Sequence, residues 1–287
     1  MSDTIRAGLW MIGAIVSFTA MAIAGRAVSL ELDTFEIMTF RSFTGIIIVL
    51  IVASFAGTLR QINRQQLGLH AIRNAAHFTG QNLWFFALPL IPLTQLFALE
   101  FTSPIWVILL APFLLGERIT PIGILAAILG FAGVMIVTQP WQIAVSTGTL
   151  AAATAAIGFA LTAIFTRKLT RTQSITCILF WLTVMQVVFG LIGAGYDGDI
   201  TFPSTTALPW VILIGCAGLL AHFCLTTALS LAPANIVMPI DFVRLPVIAV
   251  VAAQVYNETL DLWVFVGAAV IFGANYLNIT FGQRAKA

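Results

Sequence analysis

Apolar stretches of membrane-spanning length alternate with short polar breaks along the whole chain. Because a helix needs about 20 residues to cross about 30 Å of hydrocarbon, each stretch predicts one transmembrane helix. The stretch at 67–88 is the weakest, since polar residues interrupt it, and nine helices would move the C-terminus to the opposite side. We predict ten helices, at approximately 8–28, 34–56, 67–88, 93–115, 121–138, 147–167, 174–194, 207–230, 235–255 and 261–281.

The composition agrees with lipid as the main solvent. Hydrophobic residues make up 60% of the chain, charged residues make up 8%, and the mean hydropathy is +1.03. Soluble domains carry about 25% charged residues, so these few charges could not cover a water-facing surface. We therefore expect an all-α integral membrane protein that forms one membrane domain, contacts the lipid bilayer and binds no nucleic acid.

The basic residues test the orientation of these helices. With the N-terminus in the cytoplasm, ten of the thirteen basic residues fall at cytoplasmic helix ends or loops, while the opposite loops carry acidic residues such as Glu31, Asp33 and Glu258. This segregation follows the positive-inside rule and predicts that both termini are cytoplasmic, in the inner membrane. The ten are Arg6, Arg60, Arg64, Arg73, Arg118, Arg167, Lys168, Arg171, Arg284 and Lys286.

An internal repeat with a constant offset of 141 residues relates the two halves of the chain. It predicts two five-helix units, at 1–141 and 142–287. Because five is odd, the second unit enters the membrane from the opposite side, and such inverted repeats suit alternating access with a site near the midplane. The matches include Phe18 with Phe159, Arg26 with Arg167, Pro92 with Pro233 and Glu117 with Glu258.

One segment occurs in both copies and resembles a known family. In the first copy, Leu115-Gly116-Glu117-Arg118 precedes a helix rich in small residues at 124–137, and in the second copy Asn257-Glu258-Thr259 precedes 264–276. This pattern resembles the EamA-type branch of the drug/metabolite transporter superfamily. The resemblance implies ten helices in two repeats, with members that export amino acids, take up other metabolites or move cationic drugs. The length and short termini also resemble the YddG-type amino acid exporters.

An acidic and a basic residue share one face of the ninth predicted helix. Asp241 and Arg244 lie three residues apart, and Pro239 and Pro246 bracket them, which favours a kink that leaves backbone carbonyls free. Charges at membrane depth cost about 2.5–3.5 kcal/mol on insertion scales. We interpret Arg244 as a binder of a substrate carboxylate, or Asp241 as a binder of an amine or proton. The alternative is a self-neutralised structural pair.

Glu100 is the repeat partner of Asp241 and lies near the middle of the fourth predicted helix, with Ser103 one turn later. Since position 103 is not an arginine, we expect Glu100 to be the less compensated charge. It could bind an ammonium group or couple transport to protons. The alternative is a packing residue held by hydrogen bonds.

The third predicted helix carries a polar stripe. His70, Asn74, His77 and Gln81 recur at helical spacing, and Asn82 follows. A polar stripe in a membrane helix faces protein or water rather than lipid. We place His77 and Gln81, its deeper members, in the predicted cavity, and interhelical hydrogen bonds are the alternative.

Four other features are interpreted with this stripe. His222 falls on Gln81 in the repeat, and Trp84 begins an aromatic segment that could form a cavity wall. Arg41 either lines the cavity or extends towards the outer interface near Glu36, and we favour the interface. Close helix packing is predicted at Gly130, Gly133, Gly267 and Gly273.

The leading interpretation is a monomeric secondary transporter that exports amino acids or related zwitterions as its small-molecule substrates. The alternatives are uptake or exchange of another metabolite, efflux of cationic drugs and, remotely, a membrane-embedded enzyme. We expect no catalytic residue, metal or cofactor, because no P-loop, nucleophile triad or dinucleotide fingerprint is present. The predicted cavity residues are His77, Gln81, Asn82, Trp84, Glu100, Ser103, His222, Asp241 and Arg244.

Overall fold

The computed structural model describes residues 2–116, 121–139, 145–196, 198–259 and 261–281, and these residues form helices and connecting turns. Two 3-10 turns accompany the helices, at Leu59–Gln61 and Asp241–Val243. The α-helices are α1 Asp3–Val28, α2 Thr34–Phe55, α3 Leu67–Ala87, α4 Leu93–Glu100, α5 Ser103–Leu115, α6 Pro121–Thr138, α7 Thr147–Leu169, α8 Ile175–Ala194, α9 Leu208–Leu231, α10 Ala234–Ile240, α11 Arg244–Tyr256 and α12 Leu262–Phe281.

Within the described residues, six segments are long and apolar enough to cross a membrane: α1, α2, Leu93–Leu115, α7, α8 and α9. Pro121–Val137, Arg244–Tyr256 and Leu262–Ala274 are shorter apolar helices. The remaining long helix, α3, has a lower mean hydropathy because it carries the polar stripe. The helices begin and end within a few residues of the predicted spans.

Two of the predicted spans are broken in the middle. The span at 93–115 divides into α4 and α5 at Phe101 and Thr102, and the span at 235–255 divides at Asp241–Val243. Pro104 lacks the N–H that would donate to the Glu100 carbonyl in a continuous helix, which favours the first break. The breaks occupy equivalent places in the repeat, so both halves interrupt the corresponding helix at the same point.

The ends of α5 and α11 show how two different residues serve one purpose. Gly116 ends α5 with φ 69°, and Asn257 ends α11 with φ 53°. Both are left-handed conformations, which glycine adopts readily and asparagine tolerates better than most residues. The replacement of glycine by asparagine between the copies therefore keeps the helix ending unchanged.

Helices of the first half pack mainly on helices of the second. The principal pairs are α1 with α9, α3 with α7, α2 with α8 and α6 with α12. Exchanging the two halves leaves this set of pairs unchanged, because α1 corresponds to α7 and α3 corresponds to α9. The halves therefore interlock around one shared interior instead of forming two separate cores.

Glycines permit the closest of these contacts. A Cβ atom added to Gly133 of α6 would lie 2.8 Å from the carbonyl oxygen of Gly267 in α12, so the two backbones touch. Gly80 and Gly158 make a similar approach between α3 and α7. The packing prediction is wrong for Gly273, which has open space around it within the described structure.

Replacing Gly133 by valine should force α6 and α12 apart. We expect a destabilisation of about 1–3 kcal/mol, typical of an overpacked core, seen as a lower unfolding temperature of the detergent-purified protein. Gly273→Val is the matched control, because it adds the same side chain to α12 where a Cβ has no neighbour within 4 Å in the described structure. Equal unfolding temperatures for the two variants would contradict the packing argument.

Candidate functional site

A cavity lies between the two halves, next to the breaks in both interrupted helices. It contains about 590 Å³ of space that no protein atom fills, open solvent included. Its other walls are apolar and come from α1, α7 and α9. Eight of the predicted residues line it: His77, Gln81, Trp84, Glu100, Ser103, His222, Asp241 and Arg244.

Arg244 joins the charged residues of both halves. Its Nη2 atom donates to Oε1 of Glu100 and, at 2.5 Å, to Oδ2 of Asp241. The expectation that Glu100 is the less compensated charge is therefore wrong, because Arg244 reaches it across the interface. Trp84 also donates from Nε1 to Oε2 of Glu100, at 2.7 Å. Glu100 is thus held from both sides.

Three aromatic rings enclose the Arg244 guanidinium. Its Cζ atom lies 4.8 Å from the ring centroids of Phe18 and Phe97, and 5.2 Å from that of Phe101. These are cation–π distances, and the side chain of Arg244 is 1% exposed. Both acids accept from Nη2, and Nε has no hydrogen-bond partner among the described residues, so the ion pairs and rings engage part of the guanidinium and offset its charge.

The cluster carries an excess of negative charge. Glu100 and Asp241 supply two carboxylates and Arg244 one guanidinium, so the formal sum is one negative charge when both acids are ionised. Within the described part of the chain, Oδ1 of Asp241 accepts no hydrogen bond. This oxygen is the acceptor that the cluster leaves for a cation or a hydrogen-bond donor.

Two histidines, one from each half, meet at the cavity wall. The ring centroids of His77 and His222 lie 4.5 Å apart with the ring planes at 88°, an edge-to-face contact. Among the described residues, no partner hydrogen-bonds to any of their four ring nitrogens or to Nε2 of Gln81. Buried polar atoms normally have partners, so these atoms require water or a solute.

Other polar residues of α3 have different roles. Asn82 donates from Nδ2 to the carbonyl of Phe78 in its own helix, at 2.8 Å, and does not line this cavity. Asn74 donates to the carbonyl of Trp181 and belongs to a separate network between α3 and α8. His70 packs near the ring of Trp181. The stripe thus divides between the cavity and helix packing.

Aromatic residues of the wall carried a weak signal in the sequence. Phe18 and Phe159 match at the repeat offset, and both line the cavity. Neither stands out by composition, since phenylalanine is common in this chain, with 22 residues. Their shared repeat position was the signal that could have identified them.

An ion pair closes one end of the interface between the halves. Arg26 Nη1 donates to Oε1 of Glu258 at 2.7 Å, and the backbone N–H of Leu93 donates to the same carboxylate at 3.1 Å. At the repeat-equivalent place, Arg167 donates to the carbonyl of Leu229 at 2.5 Å. Glu117, the counterpart of Glu258, lies outside the described residues.

A metal site is not assembled in the described ranges, where no group of three or more His, Cys, Asp or Glu residues could hold an ion. The cysteines Cys177 and Cys224 are buried free thiols, while Cys216 is an exposed one.

Comparison with known proteins gives both a family and relatives. The EamA-like transporter family matches twice, at residues 5–139 and 146–280. The chain is 32% identical to a riboflavin transporter of Brucella anthropi, over 75% of this chain and 78% of that protein. It is 26% identical to an S-adenosylmethionine uptake transporter of Rickettsia bellii, over 96% of this chain and 94% of that one.

Two further comparisons extend this result. A riboflavin transporter of Vibrio cholerae is 25% identical over 93% of this chain and 90% of its own length. A solved crystal structure superposes with a TM-score of 0.77 at 16% identity, covering 98% of this chain and 99% of its own. At this identity the likeness shows a shared fold.

Removing Arg244 should destabilise the protein, because it leaves two buried carboxylates facing each other. For Arg244→Met we expect a loss of about 3–5 kcal/mol, measured as a lower unfolding temperature in detergent. Neutralising the acids as well, with Glu100→Gln and Asp241→Asn, should recover most of the loss.

Arg60→Gln, at an exposed position in a 3-10 turn, is the control for loss of an arginine. Its unfolding temperature should equal that of the wild type. If the unfolding temperature of the triple variant is no higher than that of Arg244→Met alone, charge compensation is not what Arg244 provides.

Proposed function

The chain belongs to the EamA-like transporter family, and we propose that it carries a neutral or cationic heteroaromatic metabolite through the cavity between its halves. As a member of that family it is a multi-pass membrane transporter of small molecules and not an enzyme. The proposed direction is uptake, driven by a gradient or by facilitated diffusion.

The state of Arg244 is the observation that carries this choice of substrate. An amino acid needs a cation for its carboxylate, and the Arg244 guanidinium in this cavity is already shared by two acids and enclosed by three rings. The excess negative charge instead favours a cationic or hydrogen-donating solute. A zwitterion, our interpretation of the substrate from the sequence, therefore fits this charge cluster less well than a cation does.

The remaining walls suit a flat ring with polar edges. Phe18, Phe159 and Trp84 supply aromatic faces, which stack on or meet the edges of other rings. His77 and His222 supply ring nitrogens that can donate or accept. A few polar groups in a mostly apolar cavity are typical of sites for small molecules.

The named relatives support the same class of solute. Riboflavin and S-adenosylmethionine both contain a nitrogen heterocycle, and S-adenosylmethionine also carries a cationic sulfonium centre. Neither name points to amino acid export.

For the topology we propose ten membrane crossings in one membrane domain, built as inverted repeats at 1–141 and 142–287. Both termini are cytoplasmic and the protein acts as a monomer in the inner membrane. The agreement between helices and predicted spans and the segregation of basic residues support this arrangement. In it, α4–α5 and α10–α11 each form one broken crossing.

Alternating access would use the ion pair of Arg26 and Glu258 as an outer latch. In the proposed topology this pair lies at the outer face, where it ties α1 to the loop after α11 and to the start of α4. In the proposed inverted topology Arg167, the counterpart of Arg26, lies at the inner face. Opening one face while closing the other would break the contacts of one of these arginines and keep those of the other.

Reconstituted proteoliposomes should accumulate a labelled heteroaromatic solute saturably, with riboflavin and S-adenosylmethionine as the first probes and phenylalanine as the zwitterionic comparison. Phe159→Ala should lower the transport efficiency about tenfold, because it removes an aromatic face from the cavity.

Phe113→Ala is the matched control, since Phe113 lies in α5 with 82% of its surface exposed, and it should transport normally. Saturable flux of phenylalanine without flux of either heterocycle would overturn the proposed substrate class.

Weakening the outer latch should expose the cavity to the outside. In a cysteine-free background carrying Thr162→Cys in the cavity wall, Arg26→Gln should raise labelling by an impermeant maleimide added outside. We expect an increase of about tenfold, which corresponds to losing one charge-assisted hydrogen bond.

Arg6→Gln is the control, because it makes the same substitution in α1 at an exposed ion pair with Asp3. Labelling that stays at the wild-type rate in Arg26→Gln, or rises equally in Arg6→Gln, would contradict the latch.

A further inference from the structure

Arg41 is a buried cation in α2. Its side chain does not extend to the outer interface, contrary to the expectation from the sequence, and the residue is 7% exposed. The guanidinium lies against Gly218 of α9, where an added Cβ would be 2.8 Å from Nη2. Its hydrogen bond goes from Nη1 to Sδ of Met38, at 3.4 Å, and thioether sulfur is a weak acceptor.

A carboxylate partner for Arg41 is absent among residues 2–116, 121–139, 145–196, 198–259 and 261–281. Buried charges in proteins are normally paired, because an isolated charge in a low-dielectric interior is costly. Arg244 differs from Arg41, because two carboxylates form ion pairs with it. Arg41 has the donors of a charged site and lacks an anion.

A second cavity opens beside Arg41, between α2, α8 and α9. It contains about 260 Å³ of space that no protein atom fills, open solvent included. Ser42, Thr183, Gln186 and His222 complete its polar wall. None of the described lining residues is acidic, so the wall has a positive formal charge.

Three polar atoms of this wall, Oε1 of Gln186 and both ring nitrogens of His222, have no hydrogen-bond partner in the described structure. Gln186 donates from Nε2 to the carbonyl of Asn74 at 2.9 Å, which fixes the amide. Neither ring nitrogen of His222 has a hydrogen-bond partner. His222 also lines the larger cavity, so the two cavities share one wall.

A second arginine adds to the positive field here. Arg73, assigned from the sequence to a cytoplasmic helix end, is 1% exposed. Its donors meet neutral oxygens, with Nε to Oγ1 of Thr166 at 3.0 Å and Nη1 to Oδ1 of Asn74 at 2.7 Å. The backbone carbonyl of Asn74 in turn accepts from Gln186, which lines the same cavity as Arg41.

We propose that the Arg41 cavity binds a single oxyanion group, a carboxylate or a phosphate. A guanidinium presents a planar fork that matches either group, and the second N–H of the Gln186 amide and a ring N–H of His222 can add donors. The group comes either from a separate small anion or from a carboxylate or phosphate at one end of a ring-bearing solute that is neutral or cationic overall and whose ring occupies the larger cavity.

The test measures the unfolding temperature of the purified protein at constant ionic strength. Sodium acetate should raise it saturably, and acetamide, the uncharged isostere, should not. Arg41→Gln should abolish the acetate effect, because an anion loses its charge-assisted hydrogen bonds, while Arg60→Gln, at an exposed arginine, should retain it. This readout requires no transported solute, so it is independent of the proposed substrate.

A second arm identifies the source of the anion. Nicotinate and nicotinamide share a ring and differ in one charge. If nicotinate binds more tightly and Phe159→Ala weakens nicotinate but not acetate, the oxyanion belongs to a ring-bearing solute. If acetate binds and nicotinate has no advantage, the site takes a separate small anion. Either result supports the site.

Two outcomes would overturn the proposal. One is an equal response of the wild type to acetate and acetamide, and the other is an acetate effect that persists in Arg41→Gln. If Arg41→Gln does not fold, Arg41→Lys decides, because it keeps the charge and loses the fork. It should weaken acetate binding about tenfold, and unchanged affinity would count against the site.

Discussion

A charge inside the membrane needs a partner, and the Arg244 bridge shows how this protein satisfies that requirement between its halves. Glu100 belongs to the first half and Asp241 to the second, yet one guanidinium neutralises part of both. Removing one member of a buried pair leaves the others uncompensated. The bridge therefore holds the two halves together at the point where their helices are interrupted.

The helix breaks and the cavity depend on each other. Irregular backbone at membrane depth is tolerated where it is buried in protein or lines a cavity. The break after Glu100 and the break at Asp241 both border the same cavity, so neither would be tolerated facing lipid. Conversely, Glu100 and Asp241 stand at the two breaks and both line the cavity.

Much of the fold, and part of the candidate site, could be predicted from the sequence. Apolar length identifies the helices, and the rarity of charges in them singles out Glu100, Asp241 and Arg244. What the sequence could not reveal is pairing across the halves, since Arg244 and Glu100 are 144 positions apart. The position of Arg41 was predicted wrongly for a related reason, because the place of its guanidinium depends on the space that Gly218 leaves on α9. Local spacing contains no information about either contact.

Repeat symmetry supplies a reason for the position of the bridge. Glu100 and Asp241 are equivalent residues of the two halves. Because the axis that relates the halves exchanges them, and because one arginine side chain reaches both, they must lie near that axis. Under alternating access, groups near such an axis move least when the halves exchange conformations. A charge bridge far from the axis would have to break at each exchange and expose buried charges, at a cost of several kcal/mol. In the proposed alternating access, the position of Arg244 would let the scaffold keep its asymmetric charges compensated in both conformations, while the proposed latch of Arg26 with Glu258 would open and close.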